Sequence, residues 1–449
     1  LRNKLGLTQS AMANEIEISS SYLNLLEANQ RPVTVKLLFK LGQKYNIDLK
    51  EFSDDDTGKI IVELNEVFSD PTFNKNKVSN KELKNLSEIS PSIIESILDL
   101  YSNYSKLREV IQNNNINNQL DLKENPLLKV RKFLENSQNH FPQLEFEAEN
   151  FRSKAKIDNI NIFYNLLNFL EKKHQIQVKI IPQNVIGKFL RQNDLHRKRL
   201  LLSEGLWESQ RIFQICFQIA LIEYEEIINH LIEKSNFKDK ESINILKISL
   251  AGYFAGAVMM PYESFRKSAN ESRHDIDILC RRFSSSFEQV CHRLTTLNNK
   301  ERRGVPFFFL KVDEAGHISK RLSGAGIQFA NNGGRCAKWI PHQAFRTPGK
   351  ILSQYSELEE GQQFFTIAKT VSVPRSQTYI NENPLFSVAL GCEKRHASNI
   401  IYADGIDPRK PSVIVPIGLS CRTCERELCQ HRGEPPIGRS IKFDPNSKS

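Results

Sequence analysis

The sequence predicts a multidomain protein: an all-α N-terminal domain, an α+β middle domain and a β-rich α+β C-terminal domain. Three observations carry this. At 449 residues the chain exceeds what one hydrophobic core usually spans. Up to about residue 300, apolar residues recur mainly at helical spacing. Beyond it, short strand-like runs alternate with frequent glycine and proline.

The elements follow in order. Thr8 is a good N-cap for "QSAMANEI", Ser19 for "SSYLNLLEA" and Thr34 for "VKLLFKLGQKY". "VSNKELKNLSEISPSIIESILDLYSNYSKL" predicts two helices, with Pro91 at a helix start. "QNNNINNQ" is low-complexity and reads as a linker. "ENPLLKVRKFLENSQNHFPQLEFEAENF" and "NINIFYNLLNFLEKKH" are helical, and "QIQVKIIP" and "KRLLLSEGL" strand-like. "WESQRIFQICFQIALIEYEEIINHLIEK" predicts one long buried helix. "ESINILKISLAGYFAGAVMMPYESFRKSA" and "DIDILCRRFSSSFEQVCHRLTTL" supply more. "VPFFFLKVDEAGHISKRL" predicts a hairpin, and "FFTIAKTVSVP" and "LFSVALGCE" further strands. The expected domains are residues 1–52, a helical linker region 53–126, then 127–295 and 296–449.

No apolar run reaches the roughly 18 residues needed to cross a bilayer, and no export signal is visible. A cytoplasmic protein with no membrane partner is expected, and clustered thiols become metal candidates in preference to disulfides. The opening "LRNKLGLTQS" has no initiator Met, so the sequence is expected to begin inside its first helix. A net charge of +10 and pI near 9.1 suit a polyanionic partner.

Two short helices joined by a tight turn, the second polar on its leading face, are the geometry of a helix-turn-helix reader. The candidate contacts to double-stranded operator DNA are Gln9, Ser19, Ser20, Ser21, Asn24 and Arg31. Serine and asparagine can bond base edges or phosphates, and arginine a phosphate. Residues 1–50 carry seven Lys/Arg against four Asp/Glu, a modest excess that suits a homodimer sharing the electrostatic work.

The order "LTQSAMANEIEISSSYLNLLEANQRPVTVKLLFKLGQKYNID" resembles the Xre/Cro class of helix-turn-helix domains. "SYLNLLEANQRPVT" is more particular and looks like the opening of the short-chain fatty acyl transcriptional regulators. Later blocks agree with that family in order, among them "KIIVELNEVFSDP", "YFAGAVMMPYESF", "RGVPFFFLKVDEAGHISKR", "GGRCAKW", "VALGC", "IYADG" and "PIGLSCRTCERELCQHRGEPP". The resemblance spans nearly the whole chain. It implies a bacterial regulator of acetate or propionate (glyoxylate or methylcitrate cycle) genes. It also implies a middle domain like the IrrE/ImmA metallopeptidases and a family-specific C-terminal domain.

Those peptidases bind zinc through HExxH on a helix. At the corresponding position stands Phe217-Gln218-Ile219-Ala220-Leu221. Both ligands are apolar and the base is an amide, so neither zinc nor its hydroxide can be held and no enzyme is expected. The resemblance implies a sensor of coenzyme A or an acyl-coenzyme A instead. Lys188, Arg191, Arg197 and Arg199, in a run with His196 and Lys198, could hold its phosphates; the plain alternative is a solvated edge. "AGYFAGAVMMP" is most simply a buried helix packed through small residues, with an acyl groove as the second reading.

Cys421, Cys424 and Cys429 lie close together, and Cys392 precedes them by 28 intervening residues. Such sets bind zinc or an iron–sulfur cluster, and spacing alone does not choose. Nearby Arg422, Arg426, His431 and Arg432 favour thiolates. The resemblance implies a cubane (4Fe-4S) cluster, since these four cysteines fall at the family's "GC" and "GCxxCERxxC" positions. Zinc is the alternative, and Cys336 a possible alternative ligand. Cys216, Cys280 and Cys291 read as structural, and His274, His292 and His317 receive no ligand role. The alternative function is an Xre-type stress or phage-related regulator with a structural zinc site and a protein effector.

Overall fold

The computed structural model describes residues 8–16, 18–27, 44, 63–68, 70, 78, 82–83, 85–86, 91–112, 125–322, 336–359, 361–372, 383–418, 420–421, 424–426 and 429–434. Two compact units form: Leu1–Leu64 with Val78–Ser96, and Asn65–Lys77 with Ile97–Ser449.

In the first unit, α1 (Gln9–Glu15) starts where Thr8 accepts a hydrogen bond from the Ala11 N–H at 3.2 Å. Helix α2 (Ser20–Glu27) starts where the Ser19 hydroxyl accepts from the Tyr22 N–H at 3.1 Å. Each cap satisfies an N–H that a helix start leaves unpaired. Met12, Ala13, Ile16 and Leu23 bury the contact between the two helices. The Thr34 cap, its helix and nearly all of "QNNNINNQ" lie outside the described residues. Helix α3 (Pro91–Gln112) begins on Pro91 as expected.

The second unit opens with α4 (Pro126–Asn136), α5 (Pro142–Lys154) and α6 (Ile162–His174). A small sheet follows: β1 (Gln177–Ile181), β2 (Arg191–Asp194) and β3 (Arg199–Ser203), with α7 (Gln183–Ile186) between the first two. Its order is β1-β3-β2, with β3 parallel to β1 and antiparallel to β2. Strand β2 falls inside the run read only as a basic stretch. The expected long helix is two, α8 (Glu208–Glu223) and α9 (Glu225–Glu233), broken at Tyr224. Then come α10 (Lys240–Met259), α11 (Tyr262–Glu271), α12 (Ile276–Arg282) and α13 (Phe287–Leu294).

Helix α10 has the length and hydropathy of a membrane span, which the sequence was not expected to contain. It packs against α5, α8 and α4, with Leu246, Leu250, Phe254 and Val258 fully buried. It is the central helix of the unit's core.

The C-terminal part is a six-stranded sheet of β4 (Phe308–Asp313), β5 (Ile318–Leu322), β6 (Leu352–Glu357), β7 (Gln363–Ser372), β8 (Leu385–Glu393) and β9 (Ile414–Pro416). The order is β5-β4-β8-β7-β6-β9, antiparallel except for β6 with β9. Strands β6 and β9 were not anticipated. Alternation along the strands gives the sheet two apolar faces. One face, with Phe309, Phe365, Ile367, Val388 and Leu390, merges with the helical core. The other, with Phe308, Leu310, Phe364 and Ala389, packs under Trp339, Ile340 and Ile417, and helix α14 (Ile340–Gln343) lies on it.

The helical layer and the sheet are pinned together. Arg273 donates twice to Asp404, both at 2.7 Å, and the Ile401 N–H donates to the Arg273 carbonyl at 2.9 Å. His274 Nδ1 lies 3.1 Å from the Asn399 carbonyl.

Candidate functional site

The reader helices come first. Gln9 on α1 donates to Asn24 Oδ1 at 3.3 Å and to Glu27 Oε2 at 2.9 Å, so the supporting helix braces the recognition helix directly. Ser20 and Asn24 are exposed, as is Ser19. Ser21 lies on α2, but its side chain is outside the described set, as is Arg31.

The second feature is a cavity of about 430 Å³. Its apolar wall is Phe213 and Phe217 of α8 with Ile248, Gly252 and Gly256 of α10. The polar side is Glu288, His292 and Arg293 of α13 with Lys320 of β5. Phe217, expected at the place of a peptidase's first zinc ligand, lines the cavity. The small-residue helix is buried as expected, and its Gly252, Tyr253 and Gly256 also line the cavity.

Electrostatics at this cavity are uneven. Arg293 is buried and doubly bonded to Glu145 at 2.7 and 2.8 Å. Tyr253 donates to the same carboxylate. Burial, then the Lys320 and Arg293 charges, push His292 well below its ordinary range and keep it neutral. Among the described residues its ring nitrogens find no hydrogen-bond partner, and the ring is half-buried. Lys320 is solvent-exposed, and among the described residues it forms no ion pair.

Arg191 adds an uncompensated cation. Its guanidinium sits 4.2 Å from the Phe217 ring centre, and Nη1 is buried without a partner. Burial with no facing acid pulls its pKa down to about 10. Its expected companions are elsewhere. Arg191 pairs with Leu202 and so lies on the buried face of the small sheet, whereas Arg199 pairs with Asp194 on the opposite face. Lys188 and Arg197 are exposed, Arg197 in the β2–β3 turn. The four do not form one cradle, because a two-residue period separates the strand positions; Arg191 alone is turned toward the cavity wall.

The third feature is the cysteine loop. Cys336, Cys421, Cys424 and Cys429 line one small cavity with Gly418, His431 and Arg432. Arg432 donates to the carbonyls of Cys421, Cys424 and Arg426 at 2.8, 3.0 and 2.7 Å, tying the loop into shape. A Cβ on Gly418 would lie 2.9 Å from Cys424 Sγ, so only glycine fits beside that sulfur. Burial, then a hydrogen bond to Glu359, raises the Cys424 thiol to about 12. The described residues contain no disulfide, and no three metal-ligating side chains among them converge on one point.

Cys392 is not in this group. It lies on β8 beside Phe365 of β7, which pairs with Tyr355 of β6, a buried row on the face toward the helices. Cys336 belongs to the opposite face. Strand alternation is the reason: in "ALGCE" it is Gly391 whose missing side chain faces the Cys336 side, and a Cβ there would meet Phe308 Cζ at 2.2 Å. The sequence could have raised this through parity, since Cys392 shares register parity with Leu390 and Val388.

The fold and these sites define a multidomain helix-turn-helix regulator built on a peptidase-like middle domain. Residues 1–52 match the helix-turn-helix family, 171–295 the IrrE N-terminal-like domain, and 296–449 the family "Short-chain fatty acyl coenzyme A regulator, C-terminal". The chain is 32% identical to the HTH-type transcriptional regulator PrpR of Mycobacterium tuberculosis, covering 100% of this chain and 93% of that one. It is 32% identical to the propionyl-CoA carboxylase regulator of Cereibacter sphaeroides, covering 100% and 95%. A solved Mycobacterium tuberculosis transcriptional regulator superposes with TM-score 0.68 and 34% identity over 73% of this chain and 98% of that one. The chain belongs to the short-chain fatty acyl coenzyme A regulators, and it is a DNA-binding transcriptional regulator.

Proposed function

We propose that this regulator controls short-chain fatty acid genes from the cytoplasm as a homodimer, with an acyl-coenzyme A as its effector. The acyl thioester enters the cavity beside Phe217, and Arg191 takes an anionic group at its edge. The supporting observation is Arg191: a half-buried guanidinium whose Nη1 is buried without a partner, beside an apolar cavity, calls for an anion with an apolar tail. The domain limits we adopt are the expected 1–52, 53–126, 127–295 and 296–449. The middle domain is not a peptidase, since Phe217 and Leu221 replace both zinc ligands.

An iron–sulfur cluster fits the C-terminal loop. Cys336, Cys421, Cys424 and Cys429 would hold it, and it would supply a redox-active or structural centre. Four thiols around one cavity, a glycine cut to fit a sulfur and Arg432 clamping the loop support that donor set. This reading replaces Cys392 with Cys336.

Calorimetric titration with coenzyme A and short acyl thioesters tests the effector. Micromolar binding is expected, and Arg191→Gln should weaken it roughly tenfold or more through loss of a charged hydrogen bond. Binding that is absent, or indifferent to Arg191→Gln, would refute the assignment. For the reader, Ser21→Ala with Asn24→Ala should remove operator preference. Arg31→Ala should weaken all DNA equally and lower the salt slope by about one.

A further inference from the structure

Gly252 and Gly256 sit one turn apart in the C-terminal half of α10, where glycine inside the helix is destabilising relative to alanine. The backbone does not require them, since neither has a positive φ. Packing does not require them either. A Cβ on Gly256 would meet nothing within 4 Å, and one on Gly252 would make an ordinary 3.6 Å contact with Phe213. Both line the 430 Å³ cavity, and the unpartnered, neutral His292 stands on its polar side. Open space before two unneeded glycines, with a half-buried imidazole across it, describes a slot for a ligand.

We infer that Gly252 and Gly256 form an acyl slot that sets which chain length the effector carries. The acyl tail lies against the two glycines and Phe213. His292, neutral, can either donate to the thioester carbonyl or accept from an amide N–H. This rests on the proposal that the cavity binds an acyl thioester, and adds which wall reads the acyl group.

The test is calorimetric titration of the full chain with free coenzyme A and its acetyl, propionyl and butyryl thioesters. Wild-type affinity should rise about fourfold per added methylene, as burial of each methylene predicts. Gly256→Leu, which points a side chain into the slot, should flatten that series while leaving affinity for free coenzyme A within twofold. Should that variant not fold, the double change Gly252→Ala with Gly256→Ala reads the same series. Its Tm should equal or exceed wild type, because alanine favours the helix, so lost acyl discrimination could not be blamed on unfolding. A variant that keeps the fourfold steps, or that loses free coenzyme A in parallel, overturns the slot. A wild type that binds neither coenzyme A nor any thioester overturns the effector proposal beneath it.

Discussion

On one face of the six-stranded sheet Cys392 lies in a row with Tyr355 and Phe365, sealed against the helices at zero exposure. On the other face Cys336 meets a partly exposed loop that brings Cys421, Cys424 and Cys429 to the same cavity. The residue type is the same and its surroundings are opposite. Burial pushes the Cys392 thiol far up, and burial with Glu359 raises Cys424 as well, so thiol acidity does not separate the two sides. On the loop side Arg432 and the backbone turns hold the sulfurs around one space. The two surroundings differ in which face of the sheet each cysteine packs against, and sequence distance to the other cysteines says little about that.

If the helical side is a packed core, breaking it should cost global stability. The largest effect is expected at the buried pair Glu145–Arg293, whose side chains are 9% and 2% exposed. Glu145→Ala leaves Arg293 charged and unpaired, and should cost about 3–5 kcal/mol. Denaturant unfolding measures this. The cysteine loop is on the far face, so metal content per folded molecule should not change. A loss below 1 kcal/mol would show that this side is looser than its contacts suggest.

The comparison is sharpest at the cysteines themselves. Cys392→Ser buries a hydroxyl in an apolar row and should cost about 1–3 kcal/mol, while protein purified without air keeps its brown colour and its iron and sulfide. Cys336→Ser, Cys421→Ser, Cys424→Ser and Cys429→Ser should each lose most of the colour. They should destabilise the unit only as far as the cluster contributes to folding. Colour lost with Cys392→Ser and kept with Cys336→Ser would reverse the two faces. Colourless protein with stoichiometric zinc would replace the cluster by a zinc site.

These contrasts bear on what the residues alone could convey. Local chemistry was readable: Thr8, Ser19 and Pro91 begin helices because caps and Pro act within one turn. The alternating run around Cys392 marked a strand. The breaks at Tyr224 and Pro261 were blurred because apolar spacing continues across both. Strand β2 was hidden because "RQND" pairs by backbone alone and carries no apolar alternation. The cavity beside Phe217 was only half visible. Its Phe217 and glycines were singled out, but Lys320, more than 60 residues beyond Gly256, reaches the same wall only through tertiary packing. His292 was set aside as an isolated polar residue for the same reason. For the basic run, proximity in sequence hides the alternation that sends Arg191 and Arg199 to opposite faces of the small sheet.

The smallest expected effect concerns the seam that presses the sheet onto the helices. His274 is buried there, and burial lowers its pKa despite the Asn399 carbonyl beside it. Its folded pKa is thus below the ordinary 6.5. The unfolded chain binds a proton first as pH falls, so the stability contributed by the neutral ring is complete above about 6.5 and declines below it. One residue can account for up to about 1.4 kcal/mol per pH unit. His140 and His292 are depressed in the same direction and add to the slope. Unfolding free energies at pH 7.0, 6.0 and 5.5 should therefore decrease, and His274→Gln, which keeps a hydrogen-bonding group without the titration, should flatten the decline by one residue's share. Since all three histidines lie on the helical side, the same acidification should leave the iron content of folded protein unchanged, and a parallel loss of iron would mean that the two faces of the sheet do not respond separately.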